Sequence, residues 1–232
     1  MNRRQWLLAA AVWVVALAAV ALVVPVSIAQ RPQPAAPGSA ALSNQQLAEM
    51  LPGAGDFPAG WTLKAYPGYA ENFGYWRYHR ADDLGPTTPE ECADVQFGAS
   101  PDSSTAVDIA GAATASGYPG DVRLAIEREF QPAGFDEMIA RVARCGEITS
   151  GPRLLRTREI VRIVTDSRPR GRPQLFRYTV TADYGDGQAR IRHYAYARTG
   201  RLILTGECVD AERQLLDRLF AQTLGRMQAT PG

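Results

Sequence analysis

His79 and His193 are the chain's two histidines, and few side chains stand ready to work with them. In FGYWRYHRADD, residues 73–83, Asp82 and Asp83 follow His79 closely enough to orient its ring as a carboxylate–imidazole pair. A hydrolase or transferase uses such a pair for general-base work. Adjacent acids after a strand are, however, usually solvated loop residues. His193 falls on a face predicted to turn inward, where a hydrogen-bonded core or cavity histidine is the simpler reading. Two separated histidines with no C-x-x-C and no H-x-x-x-H supply no zinc signal. DYGDG, residues 183–187, lacks the ligand run of a calcium loop and reads as a hairpin turn. There is no G-x-S-x-G, S-x-x-K or Walker loop. No catalytic residue, cofactor-binding residue or metal ligand is therefore assigned, no cofactor is expected, and a non-catalytic protein is the expectation.

A second set of side chains suits binding rather than reaction. Arg177, Arg190, Arg192, Tyr194, Tyr196 and Arg198 are expected on one sheet face. Guanidinium forks and ring faces together suit anionic or sugar-like ligands. The same pattern fits a solvated outer face, or one covered by the first half of the chain. The ligand-facing candidates are His79, His193, Arg177, Arg192, Tyr194 and Tyr196, and the ligands in view are a lipid or a glycan.

Cys92, Cys145 and Cys208 allow one intramolecular bridge with one thiol left over. Loop entropy does not choose the pair: closing 92–145 is worth about 4.2 kcal/mol and closing 92–208 about 4.9 kcal/mol. Cys145 and Cys208 both lie on apolar faces, so placement permits 145–208 as readily as 92–145. Cys208 is the free-thiol candidate. It stands just before a predicted helix N-terminus, which would lower its pKa, although an inert buried thiol is the simpler reading.

Patterning supplies the elements that position these groups. Ser43 and Gln46 have capping-box spacing before a short helix that Pro52 and Gly53 end. Segments 61–66, 73–80, 104–115, 121–129 and 155–165 read as strands. Pro89-Glu90-Glu91 suits the first turn of a short helix carrying Cys92. Phe135, Met138, Ile139 and Val142 give helix 134–145 an apolar face. In the last third, two-residue turns at Asp186-Gly187 and Thr199-Gly200 pair Ala182 with Ile191, Val180 with His193, and Ala197 with Leu202. All three strands then share one core face, which helix 210–228 can cover. The fold class is α+β, an antiparallel sheet with flanking helices.

Ahead of this domain, Arg3 and Arg4 precede Trp6–Val24, an uncharged stretch about 28 Å long as a helix. Its length favours a retained anchor. Ser27 and Ala29, after Pro25, offer an alternative cleavage site near Ala29. Either way the arginines hold the N-terminus in the cytoplasm and the rest is exported, to stay on the plasma membrane or be secreted. The division is a signal-anchor or signal peptide at 1–29, a Pro-rich linker at 30–42, and an extracytoplasmic domain at 43–230. A formal net charge of +1 excludes the electrostatic footprint of a nucleic-acid binder.

PEECADV (89–95), a helix ending VARCGEIT (142–149), and a strand RLILTGECVD (201–210) running into a long amphipathic helix resemble the extracellular sensor domain of mycobacterial PknH-type kinases. FPAGW at 57–61 is similar to the start of related actinobacterial exported domains. The resemblance covers about 43–228. It implies a bridge between Cys92 and Cys145. It also implies a second family bridge whose penultimate-strand cysteine would fall at Ile191, leaving Cys208 an orphan. The family domain is thought to hold a ligand in a cleft, which implies a membrane-tethered binding or sensor-like domain that needs an envelope partner to signal. The alternatives are a cell-envelope hydrolase or transferase using His79, and an adaptor subunit of an envelope complex.

Overall fold

The computed structural model describes residues 42–67, 86–101, 103–113, 122–151, 157–167, 173–183, 185 and 187–229. The Trp6–Val24 stretch, the Ala29 cleavage site, the linker up to 41, the 73–80 strand, His79, Asp82 and Asp83 lie outside them. No helix among the described residues is long and apolar enough to cross a membrane.

Among the described residues, eight strands form one antiparallel sheet: β1 (Trp61–Pro67), β2 (Ser103–Ala113), β3 (Val122–Glu129), β4 (Glu147–Ser150), β5 (Thr157–Ser167), β6 (Gln174–Asp183), β7 (Ala189–Thr199) and β8 (Leu202–Val209). Their order is β1-β2-β3-β8-β7-β6-β5-β4. Three α-helices accompany them: α1 (Asn44–Ala48), α2 (Gly134–Arg144) and α3 (Arg213–Ala229). The α+β expectation therefore holds for the domain. Two meanders meet at the β3–β8 pair, and α2 carries the chain from β3 in mid-sheet to β4 at the far edge. β4 went unanticipated because four residues are too few for alternation to register.

The sheet is buried on both faces, not on the single core face the sequence suggested. On one face α1 and α3 cover Leu124, Ile126, Ala195, Ala197 and Leu204. Ser43 and Gln46 form the expected capping box at the start of α1. Arg128 ties that end down by donating to Asn44 Oδ1 and the Leu42 carbonyl, each at 2.6 Å. α3 lies close over β8 because Gly206 has no side chain: a Cβ there would come within 2.9 Å of Leu216 Cδ1 and 3.0 Å of Phe220 Cδ2.

On the other face α2 and the 3-10 turns Glu90–Cys92 and Val95–Phe97 pack over Phe176, Tyr178, Tyr194 and Tyr196. The segment between and after those turns is irregular and buried, so its backbone groups need partners. Three phenols supply them. The Ala99 N–H donates to Tyr178 Oη at 2.7 Å, and Tyr178 donates to the Val95 carbonyl at 3.0 Å. Tyr194 donates to the Gln96 carbonyl and Tyr196 to the Ala99 carbonyl, both at 2.9 Å. Tyr178 stacks on Tyr194 with centroids 4.8 Å apart. Burial, with the neighbouring phenols, pushes the Tyr178 hydroxyl pKa well up, so it stays a donor.

The same layer carries the disulfide. Cys92 and Cys145 are bonded, with Cα atoms 5.8 Å apart, as the family resemblance implied. The bridge joins the first 3-10 turn to the end of α2. Arg141 adds a polar tie from α2, donating to Asp94 Oδ2 and to the Ser100 carbonyl at 2.8 Å each. No side chain of the N-cap Ala133 caps α2. Instead Glu129, at the end of β3, accepts from the Phe135 N–H at 3.1 Å, a carboxylate placed where the helix dipole favours one. Burial nevertheless raises the Glu129 pKa, against that bond and Arg198.

Both hairpin registers differ from expectation. Tyr178 faces Tyr194 and Phe176 faces Tyr196, a slip of one residue that inverts β6 relative to the predicted pairing. The turn is longer than two residues because Asp183 Oδ1 accepts from the Gly185 N–H at 2.8 Å, and both Gly185 and Gly187 take positive φ. The second turn is Gly200-Arg201, with Gly200 at φ 61°, so Thr199 faces Leu202 and Ala197 faces Leu204. That shift of two leaves the β7 and β8 faces as predicted.

Replacing Tyr178 with Phe strands the Ala99 N–H and the Val95 carbonyl in the core. It should cost about 1–3 kcal/mol, read as a lower urea midpoint at unchanged slope. An unshifted midpoint would contradict the role given to this hydroxyl.

Candidate ligand groove

α3 follows β8, β7 and β3, leaving part of the same sheet face beside its first turns less covered. Two cross-strand rows floor this region. Arg162, Thr179, His193 and Cys208 pair successively across β5, β6, β7 and β8. The next row is Arg177, Ala195 and Gly206. Between the rows and α3 lies a groove lined by Val164, Arg177, Thr179 and His193 from the sheet and by Arg213 and Asp217 from α3. Val164 stands at a register shift in β5 and is 54% exposed, one of the few large apolar side chains left in water.

Each polar group in the groove has a definite setting. His193 is 13% exposed, and its Nε2 lies 2.7 Å from Asp210 Oδ1, on the turn before α3. Arg177 pairs with Asp217, and its guanidinium carbon sits 5.3 Å from the Phe220 ring centroid, a cation–π contact that fixes the fork. Arg213 approaches the same carboxylate at 4.0 Å. One acid thus serves two guanidiniums.

Cys208 and His193 face each other across β7 and β8; the residue opposite the orphan thiol is therefore His193 and not Ile191. With Asp210 on His193, a thiol, an imidazole and a carboxylate come into one neighbourhood, but the thiol is unsuited to attack. Cys208 is free and buried. Burial, reinforced by Asp217, Glu207, Glu212 and Asp210, pushes its pKa up to about 12. That burial, with the surrounding acids, overrides the helix N-terminus that was expected to lower it.

The ligand-facing set proposed from sequence is divided between faces. His193 and Arg177 reach the groove. Tyr194 borders the groove between His193 and Ala195, but its ring, like that of Tyr196, lies on the opposite face under 92–101, a strand face that partly buried Arg192 shares. The Arg and Tyr residues of β7 do share one face; residues 92–101 and α2 cover its tyrosines, Arg190 stays exposed, and Arg177 lies on the other face. The one-residue slip of β6 separates them. Thr179, Arg213, Asp217 and Asp210 were not singled out from sequence. The correct register would have placed Thr179 beside His193, but nothing in the pattern indicates where α3 ends its cover.

Glu159 on β5 occupies the tyrosine side. It is 5% exposed, faces Ala182 and Ile148, and leaves Oε2 without a hydrogen-bond partner. Burial raises its pKa to about 7, with Arg192 pulling the other way.

No family model matches the chain, and no curated protein matches it. Among solved structures it is similar to the extracellular domain of PknH from Mycobacterium tuberculosis. That match has a TM-score of 0.54 at 11% identity and covers 81% of this chain and 97% of that one. A putative uncharacterised protein from Mycobacterium smegmatis aligns over the same shares at 11% identity, with a TM-score of 0.41. The first likeness establishes a shared fold, the one the sequence motifs implied. The second is too distant to carry an argument.

Two outcomes follow from these environments. Native oxidised protein should alkylate at no cysteine, unfolded unreduced protein at Cys208 alone, and reduced unfolded protein at all three; mass spectrometry of the adducts reads the count. Because the folded pKa of Glu159 lies above its ordinary value, its contribution is most favourable at acid pH. It is lost as pH rises from 4.5 to about 7. Glu159→Gln should therefore flatten that slope and gain roughly 3 kcal/mol at pH 8 relative to pH 4. Parallel pH–stability curves for the two proteins would contradict this.

Proposed function

We propose that this chain is a non-catalytic, extracytoplasmic, membrane-tethered binding or sensor-like domain of the cell envelope, and that the groove beside α3 holds its ligand. The observation that carries the reading is the groove itself: a sheet buried on both faces leaves a recess where paired, oriented polar side chains meet an exposed apolar one. Ligand sites combine an apolar wall with a few fixed polar groups, and the recess, of about 70 Å³, has room for a small head group rather than a whole ligand. The fold shared with a kinase extracellular domain supports it, as does a disulfide, which suits an oxidising compartment. Arg3, Arg4 and Trp6–Val24 support tethering with the domain outside, and Ser27–Ala29 supports release after cleavage as the alternative.

A catalytic reading has less support. His193 has its carboxylate, but the thiol facing it is held protonated. An output through an envelope protein partner fits a binding domain.

The test is native mass spectrometry of the full chain purified in mild detergent. A retained small molecule of lipid or glycan mass is expected on the wild type and should be absent from Thr179→Trp, which fills the groove. If the wild type carries nothing, or the variant retains the same mass, the groove is not the binding site.

A further inference from the structure

Resting on that reading, we infer that the groove selects an acidic group, a carboxylate or phosphate, over a neutral one. Two guanidiniums, Arg177 and Arg213, line it, and Arg162 stands next to the groove residue Thr179 in the same cross-strand row. Arg177 and Arg213 share the single Asp217 carboxylate. Arg162 is exposed, in register with Thr179, and has no acidic partner among the described residues. The other nearby carboxylate that engages a groove residue, Asp210, is bonded to His193. Glu212, on the same turn, is partly buried on the side of Cys208 and does not line the groove.

On Arg177 and Arg213, guanidinium donors thus outnumber the oxygens of the one carboxylate they share. A guanidinium carries five N–H groups, and a carboxylate fork engages two of them. The Arg177 donors left over are held in place by the Phe220 ring, so an incoming anion meets them pre-oriented. Thr179, between Arg162 and His193 in the row, adds a hydroxyl donor at the floor. Val164 offers the only strongly exposed apolar wall of the groove among the described residues. An acidic head on a lipid and a free anion share the head-group chemistry and differ in their use of this wall.

The experiment is isothermal titration of the full chain in a neutral detergent. The probes are inorganic phosphate, short-chain phosphatidic acid and a neutral short-chain diacylglycerol. Phosphatidic acid should bind at least tenfold more tightly than the diacylglycerol, should weaken as salt rises, and should be competed by phosphate. Arg162→Gln, at an exposed position, should weaken it about threefold; Arg177→Gln with Arg213→Gln should weaken it about tenfold or more. Phosphatidic acid binding well above phosphate assigns the source to a lipid, and equal affinities assign it to a free anion. If the diacylglycerol binds as tightly as phosphatidic acid and Arg162→Gln changes nothing, selection for an acidic group fails while the groove remains a ligand site. If none of the three binds, the groove reading fails with it.

Discussion

Irregular backbone rarely lies on a buried sheet face, because each of its peptide groups must find a partner there. In this protein the stretch from Val95 to Ala99 does so, and the hydroxyls of Tyr178, Tyr194 and Tyr196 satisfy it. Much depends on that arrangement. It seats the 3-10 turns that carry Cys92, which brings Cys92 to Cys145. It gives α2 a surface to cross as the chain travels from mid-sheet to edge. It also consumes the aromatic side chains that would otherwise have been read as a ligand platform. The tyrosines are therefore structural, and the groove is left to arginine, threonine and histidine on the reverse face.

The two faces of the sheet are covered unequally. α1 and α3 serve the half formed by β1, β2, β3 and β8, while α2 and the 3-10 turns serve the half around β6 and β7. Where α3 stops, the face it covers continues as a shallow floor. Gly206 sets how closely α3 approaches the sheet.

Legibility in the sequence varied with the range of the interaction. Capping at Ser43, the apolar face of α2 and the strands assigned at 61–66, 104–115, 121–129 and 155–165 depend on neighbours a few residues away, and they were readable. The inward placement of Cys208 was readable for the same reason. The β6–β7 register was not, because it depends on whether Asp183 begins an Asx turn before the glycines, a choice that the dipeptide Asp186-Gly187 conceals. That one slip moved Arg177 away from Tyr194. The Cys92–Cys145 pairing could not be deduced from geometry in the sequence and came from the likeness of PEECADV and VARCGEIT to a known domain. The groove was half visible, in His193 and Arg177. Its α3 side was not, since the reach of a helix over a sheet leaves no periodic signature.

The order of the strands has a bearing on how the molecule comes into being. β8, the last of the described strands, lies between β3 and β7. Until it is synthesised, the first three strands have no inner neighbour, and their growing edge stays open to any other strand that meets it. A nascent chain of this topology is thus vulnerable for most of its elongation, and a truncation that removes only the C-terminal strand and helix would divide the sheet in the middle rather than trim it at a margin.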